Sequence, residues 1–314
     1  MPDDNTTKFV SMPHQPVMVS EVLAYLGVTP GKTYVDGTLG AGGHANAILE
    51  QLEGSGQLIG ADQDPVALAL ARTRLEEYAD QCVFLQTNFS MLVDELSRQH
   101  LLPITGGILL DLGVSSMQLD EAERGFSFRQ AAPLDMRMDA CNPLTAKEVL
   151  NTYAEKELVR IFSEYGEERL SKTLAREIVA LRKTTPFETT QDLADFVERT
   201  YHKTLGKPAK RSRTHPATKV FQAIRIAVND ELGHLERFLE SLPTLLAPGA
   251  RVVVLSFHSL EDRIVKNAFR DYRMVDVPVL NVLTKKPVTP GEVEIDMNPR
   301  SRSTKLRAAE RIKY

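Results

Sequence analysis

The sequence predicts an α/β fold, a doubly wound, Rossmann-like parallel sheet split by an all-helical insertion. Three observations predict it. Apolar strands and amphipathic helices alternate through the first 120 of the 314 residues, as βαβ units require. A glycine-rich turn, Gly37 to Gly43, joins the first strand to the helix that follows it. No strand pattern occurs between Thr145 and about Thr204, and strand–helix alternation then resumes. The expected organisation is therefore a sheet domain in two parts, residues 1–120 and 216–314, with a helical insertion over 121–215.

Each element has a local reason. Residues 1–13 read as a loose arm, and Val17 to Leu26 as a short amphipathic helix. Tyr34-Val35-Asp36 is a short strand, His44 to Leu52 a helix, and Gln57 to Asp62 a second strand. Asp64-Pro65 opens the next helix, with proline in the first turn where its missing N–H costs nothing. Cys82 to Leu85 is a third strand. Gly107 to Leu110 is a fourth, and its continuous apolar run suits a strand buried on both faces. Residues 122–143 read as a long irregular loop. In the helical stretch, Thr145 with Glu148 and Thr189 with Asp192 fit capping boxes. Val220, Phe221, Ile224, Val228, Leu232, Leu235 and Leu239 predict one long amphipathic helix by their 3.6-residue period. Arg251 to Phe257 is a strand and Ile264 to Phe269 lies in a helix. Late strands are expected near Val279–Leu283 and Lys305–Ile312.

Composition narrows the function classes. Apolar residues make up 42% and charged residues 25%, as in an ordinary soluble globular protein. The net charge of −4 does not by itself announce a nucleic-acid binder. Cys82 and Cys141 are far apart and form no CxxC, so neither a zinc site nor a disulfide framework is expected. No metal-ligand cluster is visible in the sequence. The acidic N-terminus lacks the apolar run of a secretory signal, and no stretch reaches the roughly 18 apolar residues of a membrane span. A cytoplasmic protein is expected.

The turn Asp36-Gly37-Thr38-Leu39-Gly40-Ala41-Gly42-Gly43-His44 brings backbone N–H groups to a helix start, where an anion is favoured. Asp62 closes the second strand, where a carboxylate can accept both ribose hydroxyls of a nucleoside. Together they indicate a nucleoside cofactor. A dinucleotide site usually reads GxGxxG, which this turn does not fit. An S-adenosylmethionine site needs an acceptor for the methionine carboxylate, and Gly42, Gly43 and His44 suit it.

With these segments belong Asp62-Gln63-Asp64-Pro65, Asp111-Leu112-Gly113-Val114-Ser115-Ser116, Glu123-Arg124-Gly125-Phe126-Ser127-Phe128, Pro133 to Asp139, Tyr165 to Arg169, His215-Pro216-Ala217-Thr218, Phe221-Gln222-Ala223, Ser256 to Arg263 and Asn298-Pro299-Arg300. In all of them, and in His14-Gln15-Pro16-Val17, the chain resembles the bacterial small-subunit ribosomal RNA cytosine-N4 methyltransferases, the MraW group. The resemblance implies a class I methyltransferase fold, S-adenosyl-L-methionine as cofactor, and 16S ribosomal RNA of the small subunit as substrate. It implies cofactor contacts at Gly42, Gly43, His44, Asp62, Phe89, Asp111 and Gln118. Phe89 follows the third strand, where its ring could pack on adenine. Asp111 ends the fourth strand, and Gln118 lies in the loop after it.

Methylation of a cytosine amine requires alignment of a poor nucleophile with an electrophilic methyl group, and an acceptor for the amine proton. Many amino-methyltransferases carry an Asp/Asn-Pro-Pro-aromatic motif at the end of the fourth strand; here Asp111-Leu112-Gly113-Val114 stands in its place. Asp111 is the candidate acceptor and His258 the second candidate. Two basic clusters are candidate phosphate contacts: Lys203, Lys207, Lys210, Arg211 and Arg213, and Arg300, Arg302, Lys305, Arg307 and Arg311. Arg124, Phe126, Phe128 and Arg137 mix rings and guanidinium groups, a mixture suited to stacking on an unpaired base. The rival readings are a methyltransferase acting on another RNA, DNA, protein or a small metabolite, a ribosome-assembly factor that only binds cofactor, and a dehydrogenase.

Overall fold

The computed structural model describes residues 16–206 and 215–312. The arm expected over 1–13 lies outside the described residues, as do Lys207, Lys210, Arg211 and Arg213. The chain runs α1 (Val19–Leu26), β1 (Thr33–Asp36), α2 (Gly43–Leu52), β2 (Gln57–Asp62), α3 (Pro65–Arg74), β3 (Cys82–Gln86), α4 (Leu92–Arg98) and β4 (Gly107–Asp111). A one-turn α5 (Ser116–Asp120) leads to α6 (Ala146–Thr152), α7 (Glu155–Arg160), α8 (Ser171–Leu181), α9 (Thr190–Leu205) and α10 (Ala217–Asn229). The chain closes with α11 (Glu231–Leu245), β5 (Arg251–Ser256), α12 (Ser259–Arg273), β6 (Leu280–Val282), α13 (Glu292–Met297) and β7 (Lys305–Arg311). Neither α4 nor α13 is among the elements the sequence predicts.

The sheet has the order β3-β2-β1-β4-β5-β7-β6. β1 to β5 pair in parallel, and β7 runs antiparallel to both of its neighbours. This is the class I methyltransferase arrangement. Successive strand residues feed opposite layers, as the pleat demands. Leu109, Val253 and Leu255 pack with Ile48, Leu49 and Leu68 on the α1–α2–α3 face. Ile108, Leu110, Val252 and Val254 pack with Phe238, Leu242 and Phe269 on the face of α4, α11 and α12.

A separate helical core runs from Phe126 to Val228 and includes Leu150, Phe162, Leu174, Phe187 and Phe221. Both expected capping boxes are present, at Thr145 with Glu148 and at Thr189 with Asp192. The long loop before α6 is pinned to the start of α9, where Thr190 N–H donates to Ala132 O at 2.8 Å.

One expectation changes. The helix anticipated through Val220 and Leu239 is two helices, broken at Asp230, whose φ is 46°. The two apolar stripes serve different cores. Val220 to Val228 belong to the helical core, and Leu235 to Leu245 to the sheet. The buried face of α10, as far as Val228, thus packs with the helices that precede residue 215. Among the described residues no helix is long and apolar enough to cross a membrane.

Candidate active site

Strand order reverses between β1 and β4, and a crevice opens at their C-terminal ends, where sheets of this topology bind ligands. Three carboxylates close neighbouring strands there: Asp36 on β1, Asp62 on β2 and Asp111 on β4. Asp62 and Asp111 were expected. Asp36, at the end of the first strand and the start of the turn, is not among the expected site residues, although the same signal, an acid ending an apolar strand, marks it.

The glycine turn is shaped as much by packing as by approach to a ligand. Gly42 caps α2 with φ 78°, and a Cβ there would sit 3.3 Å from Leu75 Cδ1. A Cβ at Gly43 would crowd Pro16 at 3.1 Å. Asp62 organises the turn from below. Its Oδ2 accepts the Gly40 N–H at 2.8 Å and its Oδ1 the Asp64 N–H at 2.9 Å. Each carboxylate oxygen offers two lone pairs, so one on each remains for a ribose hydroxyl.

His44 is 5% exposed, and its ring is turned inward. Nε2 lies 2.8 Å from Val17 O, and Nδ1 lies 3.6 Å from Asp111 Oδ2. A carbonyl only accepts, so Nε2 carries the proton. Burial lowers the His44 pKa against the pull of Asp36, which keeps the ring neutral. Asp111 has Oδ1 buried without a partner, while its side chain as a whole remains 26% exposed to the crevice. Its backbone N–H donates to Thr38 Oγ1 at 2.6 Å. Burial, reinforced by the charge of Glu261, pushes the Asp111 pKa up to about 7. Burial also drives Asp36 up to about 7, opposed by His44 and the Thr38 N–H and aided by Asp111 and Asp62. A buried carboxyl oxygen without a partner is costly unless something binds there. Asp111 Oδ1 thus fits a site built for a ligand.

Phe89 sits in a tight turn after β3 that Asn88 caps, with Asn88 Oδ1 accepting the Ser90 N–H. Its ring meets Phe238 edge-on, centroids 5.9 Å apart, and is half-buried at the crevice wall. Gln118 is 7% exposed and its amide is already engaged at both ends. Oε1 accepts the Ser115 N–H at 3.0 Å, and Nε2 donates to Asp64 Oδ2 at 3.3 Å. It reaches the crevice through this network and has one Nε2 proton left for a ligand.

Asp64 was anticipated only as a helix start. It caps α3 and also accepts from Arg124 Nη1 at 2.9 Å. Arg124 further donates to the carbonyls of Arg137 and Met138, while Arg137 pairs with Asp135. These two guanidinium groups are therefore clasps of the loop, and Phe126 is buried. Of the four residues read as a base-stacking set, Phe128 alone keeps a partly open ring.

His258 is not free to act as a base. Its Nδ1 caps α12 by accepting the Glu261 N–H, while Nε2 lies 3.2 Å from Glu261 Oε1 but is buried without a hydrogen bond to it. Burial raises the Glu261 pKa, but His258, Arg225 and the Phe257 N–H more than offset it and hold the carboxylate ionised. Glu231 joins His258 and Glu261, with potential ligand atoms within 4.8 Å of one another. The Arg225 guanidinium pairs with Glu231 through Nε and Nη2, both at 2.8 Å, which balances the Glu231 charge and leaves that of Glu261 acting on Asp111. His258 and Glu261 share the segment Ser256 to Arg263, but no local pattern joins them to Arg225, 36 positions before Glu261.

The C-terminal basic cluster is mostly structural. Arg307 is 6% exposed and bonds Asp262 at 2.7 Å; Lys305 pairs with the same carboxylate. Arg311 donates to Val279 O, and Arg300 pairs with Asp120. Arg302 is exposed.

The model of the MraW methylase family matches residues 11–312. The chain is 51% identical to the ribosomal RNA small subunit methyltransferase H of Geobacter sulfurreducens, over 95% of this chain and 99% of that protein. It is 49% identical to the protein of the same name from Heliobacterium mobile, again over 95% and 99%. Among solved structures, an rRNA methylase from Streptococcus thermophilus is 11% identical with a TM-score of 0.40, covering 96% of this chain and 100% of that one.

Proposed function

Because the chain belongs to the MraW methylase family, we propose that this S-adenosylmethionine-dependent methyltransferase acts on the N4 amino group of a cytosine in 16S ribosomal RNA of the small ribosomal subunit, in the cytoplasm. When bound, the cofactor supplies an electrophilic sulfonium methyl group. The protein's own groups do the rest. Asp62 and the Gly40–Gly43 turn hold the nucleoside and its charged tail, with Phe89 beside the adenine and Gln118 bracing the crevice wall.

The cytosine amine is a weak nucleophile because its lone pair is delocalised into the ring. As it forms a bond to carbon it gains positive charge and becomes acidic. A fixed carboxylate at that point stabilises the charge and takes the proton. Asp111 is the group for this task, and the observation that carries the reading is its unpartnered Oδ1 at the switch point of the sheet. A carboxyl poised near 7 can be ionised at working pH and still have enough basicity to accept a proton. The relatives quoted above are named for small-subunit ribosomal RNA, and this supports the substrate. The test is methyl transfer from labelled cofactor to purified small subunits lacking the modification, with the product nucleoside identified. N4-methylcytidine is the expected product. Label in any other nucleoside, or none in the RNA, overturns the proposal.

A further inference from the structure

A second cavity, about 180 Å³, lies at the helical core, beside the segment that follows β4. One wall is the segment after β4. Val114 stands three residues beyond Asp111, and Leu119 directly follows Gln118. The segment that bounds the cofactor crevice therefore also bounds this cavity. The opposite wall is α10, with Thr218 exposed at the cavity's edge and Gln222 and Arg225 further along. Phe128 forms a third side. Its ring is held by Phe221 and His215, both with centroids at 4.8 Å.

The lining has the chemistry of a pyrimidine site. A half-buried aromatic ring offers a stacking face for an unpaired base. The polar groups are few and specific. Arg225 spends Nε and Nη2 on Glu231, which fixes the guanidinium plane, and among the described residues its Nη1 makes no hydrogen bond. Gln222 donates its Nε2 to Tyr165 O at 3.1 Å, and its Oε1 accepts none among the described residues. Cytosine presents two adjacent acceptors, O2 and N3, beside the N4 donor. The Nη1–H and the second Nη2–H of Arg225 match the acceptors, and Gln222 Oε1 matches one N4–H, leaving the other for Asp111. Uracil would present N3–H and O4 instead, setting donor against donor and acceptor against acceptor. Such mismatches leave buried polar groups unpaired and discriminate strongly.

We infer that this cavity receives the target cytosine, extruded from the RNA, with Phe128 against its face and Arg225 and Gln222 reading its polar edge. The inference rests on the methyltransferase reading proposed above. Extrusion is what chemistry on a base within folded nucleic acid requires. The bidentate Glu231 pair makes Arg225 a pre-organised reader, and its burial beside Glu261 ties the pocket to the charged groups around Asp111.

The test fills the cavity from either side, with cofactor affinity as the control for the neighbouring crevice. Thr218→Trp enters from the exposed edge, and Val114→Phe enters from the opposite wall. Each variant and the wild type are assayed by single-turnover methyl transfer to unmodified small subunits at saturating S-adenosylmethionine, with cofactor affinity measured by calorimetry and folding by melting temperature. Displacement of the reacting atoms should slow transfer by roughly a hundredfold, with cofactor affinity and melting temperature unchanged. The two substitutions lie on different elements, so one folded variant suffices. Wild-type transfer rates in a folded variant overturn the inference and leave the methyltransferase reading standing. A rate loss matched by an equal loss of cofactor affinity also overturns it, since the cavity would then act only through the crevice. A wild-type protein that makes no N4-methylcytidine overturns the reading itself, and the inference falls with it.

Discussion

His44 Nδ1 faces Asp111 Oδ2 at 3.6 Å, too far for a hydrogen bond, while the other ring nitrogen of His44 is bound to the Val17 carbonyl. The imidazole therefore gives Asp111 neither a positive charge nor a donated proton. A carboxyl group left so in a crevice has its pKa set by burial, not by a partner. This distinguishes Asp111 from Asp62, whose two oxygens each take a backbone N–H.

The first consequence concerns the reaction. Asp111→Asn keeps the shape and loses the basicity, so kcat and kcat/KM should fall together, by roughly a hundredfold or more, if the carboxylate accepts the amine proton. Calorimetry of S-adenosylmethionine binding should show little change. The wild-type single-turnover rate should also rise with pH through about 7, as Asp111 ionises. The Asn variant should lose that limb of the profile. Full single-turnover rates in the variant at saturating cofactor would assign Asp111 to cofactor binding alone.

Asp36 carries a stability signature of its own. Folded, it keeps its proton up to about 7, whereas the unfolded chain releases it near 3.8. The folded state thus binds more protons between those values, and its stability falls as pH rises through them. Each tenfold in proton affinity is worth about 1.4 kcal/mol. Asp36→Asn should reduce the dependence between pH 4 and 7, the remainder coming from Asp111, and make the ligand-free protein more stable than wild type at pH 8. Denaturant titrations at the three pH values measure this, and an unchanged slope would count against a buried neutral Asp36.

For Asp62, hydrogen bonds to a charged group are worth about 1.5–3 kcal/mol. Asp62→Ala should weaken S-adenosylmethionine binding by roughly tenfold to a hundredfold. The same substitution frees the Gly40 and Asp64 N–H groups, so the change combines lost ribose contacts with a loosened turn. Asp62→Asn, which keeps an acceptor for one of those N–H groups, should recover part of the loss. Calorimetry on the folded variants checks both, and equal affinity in Ala and wild type would remove Asp62 from the cofactor site.

The basic residues should divide into two kinds. Arg307→Ala leaves the Asp262 carboxylate to Lys305 alone and should cost about 1.5–3 kcal/mol of stability, the worth of a hydrogen bond to a charged group, without altering the salt dependence of RNA binding. Replacing Lys210, Arg211 and Arg213 by Ala should leave cofactor affinity alone and reduce the salt slope, by about 0.7 per lost contact to single-stranded RNA. Filter binding across a salt series separates the two, and an unaltered slope in the triple variant would make those residues ordinary solvated surface.

Legibility followed the range of the interaction. The helix caps at Thr145 and Thr189 were readable because a capping box is complete within four residues. Asp62 and Asp111 were readable because an acid at the end of an apolar strand is a local pattern. Asp64 was half-read. Its cap on Val66 is local, but its bonds to Gln118 and Arg124 span 54 and 60 residues. The break at Asp230 escaped because one period continues through it, and only the two separate cores oppose a straight helix.

By itself, then, the sequence determined the alternation of strands and helices, the interruption by a helical unit, the glycine turn and the acids at the strand ends. All are set by short-range periodicity and backbone preference. The tertiary structure alone decided that Arg124 and Arg137 clasp a loop, that Arg307 is buried on Asp262, that His258 serves Glu261, and that Arg225 and Gln222 share a cavity with Phe128. A charged side chain has the same propensity whether it meets solvent, phosphate or a buried carboxylate. Which of these it meets depends on elements that only the packed fold brings together.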